Sequence, residues 1–200
     1  MNFLAHIYLS NDNELLTIGN FAGDAVKGKH FKHFPLAMQA GIQLHREIDT
    51  FTDAHPVVRQ STKRLHKNYS HYSGIIVDIF YDHFLAKNWD TYSQQPLEDY
   101  VDDFYTCLNR NFQVLPDRFK KLTPIMIEGN WLLSYASIEG VQSVLNGMNR
   151  RTQGRSKMNE ATRELREHYS AFESDFKAFF SELIDFSTER LLEIEKQLNI

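Results

Sequence analysis

The order of apolar and polar positions reads as helix along nearly the whole chain. Toward the C-terminus, Leu165, Tyr169, Phe172, Phe176, Phe180 and Leu183 recur at spacings of three and four, the stripe of one long amphipathic helix filling the chain beyond residue 157. That stripe is core and needs no functional explanation. Residues 73–89 are apolar nearly all round, which predicts a buried helix, with Ser73 suited to its N-cap. Pro35 opens a helix that runs to about Thr52, since proline fits a first turn. His55-Pro56 closes the next loop and starts a helix to about Lys67, basic on its outer face. Pro96 begins another through about Phe112, Pro116 and Pro124 punctuate shorter pieces, and Ile138 to Met148 is a further helix. Residues 13–30, with Gly19, Gly23 and Gly28 around Asp24, read as a short helix running into an irregular turn. Asn149 to Lys157 is basic and polar, the pattern of a mobile loop. Together these elements predict an all-α, single-domain helical bundle spanning residues 1–200.

Composition narrows this picture. Nine Gly and five Pro in 200 residues favour helices over many short strands. A net charge of −4 predicts no general affinity for nucleic acid. The single cysteine, Cys107, allows no internal disulfide and reads as a space-filler. No apolar run is long enough to span a bilayer, and the start lacks a basic n-region. The expectation is a cytoplasmic protein with no membrane insertion.

The chemistry stands where a core should be. Asp78 and Asp82 lie four apart on the helix 73–89 and share a face with Ile75, Ile79, Ala86 and Trp89. On the helix 36–52, His45 and Asp49 share a face with Met38, Ile42 and Thr52. Burying unpaired carboxylates costs several kcal/mol or more, so either arginine partners or a bound cation must compensate. One such pair alone reads as an ion pair or a hydrogen-bonded core histidine. Both pairs, on helices otherwise apolar, favour a metal site, and mixed nitrogen and oxygen donors suit Mn²⁺, Fe²⁺, Zn²⁺ or Mg²⁺. Asp24 and His6, taken singly, each read as structural; beside the two pairs, each is a candidate for a further ligand or a supporting partner. His83 is a ligand, a supporting donor or a general acid. Arg46 either pairs with a carboxylate or clamps a phosphate. Asp53 reads locally as an exposed helix end. His30, His33, His66, His71 and His168 sit in polar stretches and read as solvated. The chain has no GxSxG elbow, P-loop, dinucleotide fingerprint, HExxH or Glu-x-x-His.

Met1–His6, Gly19–Asp24, the run Gly41-Ile42-Gln43-Leu44-His45-Arg46-Glu47-Ile48-Asp49-Thr50-Phe51-Thr52-Asp53, Asp78–Leu85 and Val144–Met148 together resemble the acyl carrier protein phosphodiesterase family. The resemblance runs through essentially the whole chain. It implies a divergent HD-type metallophosphohydrolase fold that acts on holo acyl carrier protein, releasing apo protein and 4′-phosphopantetheine with a divalent cation. Manganese is the expected ion, with Mg²⁺ and Fe²⁺ as alternatives. The chain has no His-Asp dipeptide, so the ligand set of ordinary HD enzymes does not transfer. The resemblance points to Asp24, His45, Asp49, Asp78, Asp82 and His83, then His6 and Arg46, and it raises Asp53. It implies that Arg46 offsets phosphoryl charge and that an unliganded Asp or His83 moves the proton. An acidic carrier protein calls for a locally basic surface. Arg59, Lys63, Arg64 and Lys67 offer one, and Arg150, Arg151, Arg155 and Lys157 another, while Lys27, Lys29 and Lys32 are placed to meet the prosthetic phosphate. The rival readings are a phosphohydrolase of nucleotides or other small diesters, a non-catalytic helical binding protein, and a purely structural polar network.

Overall fold

The computed structural model describes residues 1–10 and 12–200. Among them there are eleven α-helices and no strand. These are α1 (Phe3–Tyr8), α2 (Glu14–Ala22), α3 (Leu36–Ala54), α4 (Pro56–Tyr69), α5 (Ser73–Lys87), α6 (Leu97–Arg110), α7 (Asp117–Glu128), α8 (Trp131–Ser134), α9 (Ile138–Arg151), α10 (Thr162–Glu167) and α11 (Tyr169–Leu198). Short 3-10 segments link several of them, including Gly28–His33 between α2 and α3. The all-helical, single-domain expectation holds. No helix among the described residues is long and apolar enough to cross a membrane.

α3 is the hub. Its closest neighbour is α2, and glycine makes that approach possible: a Cβ on Gly41 would stand 1.9 Å from Leu16 O, and one on Gly19 2.2 Å from Met38 O. On its other side α11 runs antiparallel along α3 and α4. Arg190 meets Glu47, Phe186 stacks on Phe51, Glu182 meets His55, and Asp175 accepts from Ser61. α5 lies inside the bundle, with Ile76, Val77, Ile79, Phe80, Tyr81, Phe84 and Leu85 all at 0 % exposure. The aromatic stripe of α11 closes on it, Phe176 against Tyr81 and Phe172 against Phe80.

No sequence expectation covers α1, and three other elements depart from theirs. α1 has only six residues, too few to hold a helix in isolation, and Asn2 provides no side-chain cap. The cap comes from α5 instead: Asp82 accepts from Leu4 N at 2.8 Å and from Ala5 N at 3.1 Å. Pro124 lies inside α7 rather than breaking it, on an exposed position. The stretch after residue 157 is split into the 3-10 turn Met158–Glu160, α10 and α11. The split before α11 falls at His168, and Tyr169 just beyond it is engaged by His83. The basic loop at 149–157 is shorter than read, a turn over residues 152–157. α9 continues to Arg151, and the turn beyond is tied by Thr152 to Asn149 O and by Ser156 to Asn149 Oδ1 and Thr152. Ile75, read as inward-facing, is 43 % exposed.

Candidate metal centre

α1 and α3 converge on one carboxylate. Asp49, on α3, has His45 Nε2 3.2 Å from Oδ2 and His6 Nε2 3.3 Å from Oδ1. The two imidazoles stack with centroids 4.1 Å apart. His6, His45 and Asp49 can each turn one donor atom into a space small enough for a single metal ion. Gly23 makes room for the His45 ring, since a Cβ there would lie 2.4 Å from its Cγ.

Asn20, on α2, fixes both rings. His45 Nδ1 is 2.7 Å from the Asn20 backbone carbonyl, which only accepts, so Nδ1 carries the proton and donates. The Asn20 amide donates to His6 O at 2.7 Å and to Ser10 Oγ at 3.0 Å. Its Oδ1 is therefore the end that accepts from His6 Nδ1 at 2.9 Å. A neutral imidazole whose Nδ1 is protonated has a lone pair on Nε2. Both Nε2 atoms thus face a carboxylate. His6 Nε2 is buried with no hydrogen-bond partner. Two ring nitrogens aimed at a half-buried acid call for positive charge between them, and two nitrogens with one oxygen are donors suited to a borderline divalent ion.

The electrostatics show how the protein supplies that charge by itself. Burial pushes His45 down, but its hydrogen bonds to Asp24 and Asp49 outweigh this and raise it to about 9. Burial, reinforced by the neighbouring His45, lowers His6 to about 4. Burial would raise Asp49, yet the two imidazoles and the Met1 ammonium hold it well below the usual carboxylate range. The Met1 ammonium lies 3.3 Å from Asp49 Oδ1 and 3.4 Å from Asp78 Oδ1. Burial disfavours that charge, but Asp78 and Asp49 raise it to about 10.

The remaining site candidates divide. Asp24 Oδ1 is 3.3 Å from His45 Nε2, and the side chain is 65 % exposed at the mouth. A cleft of about 370 Å³ opens there, lined by Asp24, Lys27, Gly28, His45, Arg46, Asp49 and neighbouring backbone. Asp78 faces the Met1 ammonium, and burial raises its pKa. Asp82, at 0 % exposure, is occupied by the first turn of α1, and burial raises it to about 7 despite those two N–H groups. His83 points to a different neighbourhood, with Nδ1–H on Tyr135 O at 2.7 Å and Nε2 2.8 Å from the Tyr169 hydroxyl. Arg46 donates from Nη2 to Val26 O at 2.7 Å and Gly28 O at 2.9 Å, and its guanidinium lies over the Phe31 ring. Asp53 is exposed at the end of α3. Arg64 is committed to Asp175, whereas Arg59, Lys63, Arg150, Arg151 and Arg155 are exposed and line no part of the cleft.

Two participants escaped sequence reasoning. Asn20 sits in the glycine-rich segment before Asp24, and its signal was a polar side chain among small and apolar neighbours. The Met1 ammonium left no side-chain signal at all.

Comparison with known proteins places this geometry in a lineage. The family profile described as acyl carrier protein phosphodiesterase matches residues 1–183. A protein of Photorhabdus laumondii with that name is 31 % identical over 189 residues, covering 92 % of this chain and 94 % of its own. One of Escherichia coli with the same name is 33 % identical over 198 residues, covering 96 % and 100 %. One of Shigella boydii is 32 % identical with the same coverage. No solved structure matches the chain significantly. With the match running through its whole site and nearly its whole length, this chain belongs to the acyl carrier protein phosphodiesterase family.

Proposed function

We propose that this protein hydrolyses the phosphodiester joining 4′-phosphopantetheine to the serine of holo acyl carrier protein, using a divalent cation held by His6, His45 and Asp49. The observation that carries the reading is the pair of imidazoles locked by Asn20, each turning its Nε2 toward Asp49. The substrate follows from the family and from the relatives that bear its name. Asp24 is the residue able to add a donor from the cleft side. Nitrogen donors favour Mn²⁺ over Mg²⁺, which prefers an all-oxygen shell. When bound, such an ion supplies an acidified water and a Lewis acid for phosphoryl oxygen.

The chain's own residues supply the rest. Asn20 keeps both rings in the tautomer that leaves Nε2 free. Asp82 holds α1 in place and with it His6. Lys27, exposed on the cleft wall, offers its ammonium to the non-bridging oxygens of a diester lying there. Arg46 keeps the Val26–Gly28 backbone, and so Lys27, beside the ligands. His83, hydrogen-bonded to Tyr135 and Tyr169, takes no part in this proposal, and neither does Asp53.

The test is incubation of the purified protein with holo acyl carrier protein and Mn²⁺, followed by mass spectrometry. Loss of the phosphopantetheine mass is expected, and Asp49→Ala is expected to abolish it with the helical circular dichroism intact. Turnover of cyclic nucleotides or a chromogenic diester, with holo carrier protein untouched, would overturn the substrate assignment.

A further inference from the structure

The sequence offers three basic stretches, and only one of them borders the cleft. On α4, Arg64 is spent on Asp175, and no residue of that helix lines the cleft. Arg150 and Arg151 end α9, whose neighbours are α5, α8 and α10. The segment around Gly28–His33 differs from both. Lys27 and Gly28 form the cleft wall itself. Lys27, Lys29 and Lys32 are all exposed, and among the described residues none of them pairs with a carboxylate.

Nor is this a loose basic tail. Arg46 donates to Val26 O and Gly28 O and lies 5.2 Å from the centroid of Phe31. From the other end, Gln39 Nε2 donates to Phe34 O at 2.8 Å. The lysines therefore ride on a backbone held from within. Leu36, directly after it, is 50 % exposed, so an apolar residue stands beside a basic rim, as at the centre of a protein interface. On a chain whose net charge is −4, a fixed cationic edge beside the cleft selects for an acidic partner.

We propose that the face from Lys29 to Leu36 is the docking surface for the acidic side of the carrier protein, which sets its modified serine over the cleft. This deepens the functional reading above and rests on it. The residues holding the segment belong to positioning, with Arg46 the main one.

The test is binding, read apart from turnover. Apo acyl carrier protein, which has the acidic surface but no diester, is titrated into the Mn²⁺-loaded protein by calorimetry at low and high salt. Binding should weaken with salt, and Lys29→Glu combined with Lys32→Glu should weaken it at low salt by ~10-fold or more, the lower range of electrostatic steering. Arg150→Glu with Arg151→Glu should leave it unchanged. Equal binding by the Lys29/Lys32 variant, equal loss in the Arg150/Arg151 variant, or no binding by the wild type would each overturn the docking surface. Hydrolysis of holo carrier protein reads the functional assignment separately. Hydrolysis that ignores Lys29 and Lys32 would keep the function and remove the surface, and binding without hydrolysis would do the reverse.

Discussion

Replacing Gly23 by alanine adds one methyl group and tests the centre directly. Gly23 ends α2 in helical backbone, φ −54° and ψ −37°, so alanine pays no conformational penalty, and helix propensity alone favours it by about 1 kcal/mol. The obstacle is lateral. The new Cβ would lie 2.4 Å from His45 Cγ and 2.7 Å from Cβ and Cδ2 of the same residue. Carbon atoms in contact settle at about 3.5 Å or more, so the imidazole or the end of α2 must move by roughly 1 Å. The ring has nowhere free to go: Nδ1 is bonded to Asn20 O at 2.7 Å, and one face stacks on His6 at 4.1 Å. Moving Nε2 that far lengthens its 3.2 Å approach to Asp49. Displacements of this size cost metal affinity or rate on the order of 10- to 100-fold. Isothermal titration calorimetry with Mn²⁺ and kcat/KM on holo carrier protein should both show that loss. Gly74→Ala is the control, because its Cβ meets nothing within 4 Å. Wild-type Mn²⁺ affinity in a folded Gly23→Ala protein would refute the placement of His45 in the centre.

Three further outcomes follow from the same geometry. Asn20→Ala removes the acceptor of His6 Nδ1 but keeps the backbone carbonyl that holds His45; Mn²⁺ affinity should drop about 10- to 100-fold, and an unchanged titration would contradict the tautomer argument. With His45 near 9 and His6 near 4 in the metal-free protein, Mn²⁺ binding at pH 7 should release about one proton, and affinity should rise about tenfold per pH unit from pH 5 to 8; calorimetry in buffers of different ionisation heat counts the protons, and zero or two would be wrong. Asp82 has a folded pKa raised from 3.8 to about 7, so its contribution to stability is fully present below pH 4 and is lost as pH rises to 7; Asp82→Asn should flatten that part of the urea-midpoint profile.

The sequence discloses the helices well because their patterns are local. A 3.6-residue stripe names the face that will be buried, and proline marks several starts. It discloses α1 poorly because the groups that cap it belong to Asp82, 77 and 78 positions away. The same limit governs the site. Spacing puts Asp78 and Asp82 on one face of α5, but it cannot say which neighbour will reach them, and they end against different groups, a terminal ammonium and a helix start. His45 and Asp49 stay together because both belong to α3 and the same neighbours, His6 and Asn20, cover them. Arg46, a neighbour of His45 in sequence, turns onto the next helical face and takes hold of the cleft wall.

Asp82 therefore raises a question that activity alone does not answer, because losing a ligand and losing the support of a ligand both lower turnover. Its two oxygens are taken by Leu4 and Ala5 N–H, two and one residues before His6. If Asp82 acts by holding α1, its effect on metal affinity passes through His6 and vanishes once His6 is gone. A double-mutant cycle separates the cases. Asp82→Asn and His6→Ala should each weaken Mn²⁺ binding, and the pair should weaken it little more than His6→Ala alone, giving an interaction energy within the roughly 0.5–3 kcal/mol seen for coupled neighbours. Strict additivity would mean that Asp82 meets the ion independently of α1. The buried carboxylate that first suggested a ligand would then be one, and the first turn of α1 would have to give up its cap when the metal binds.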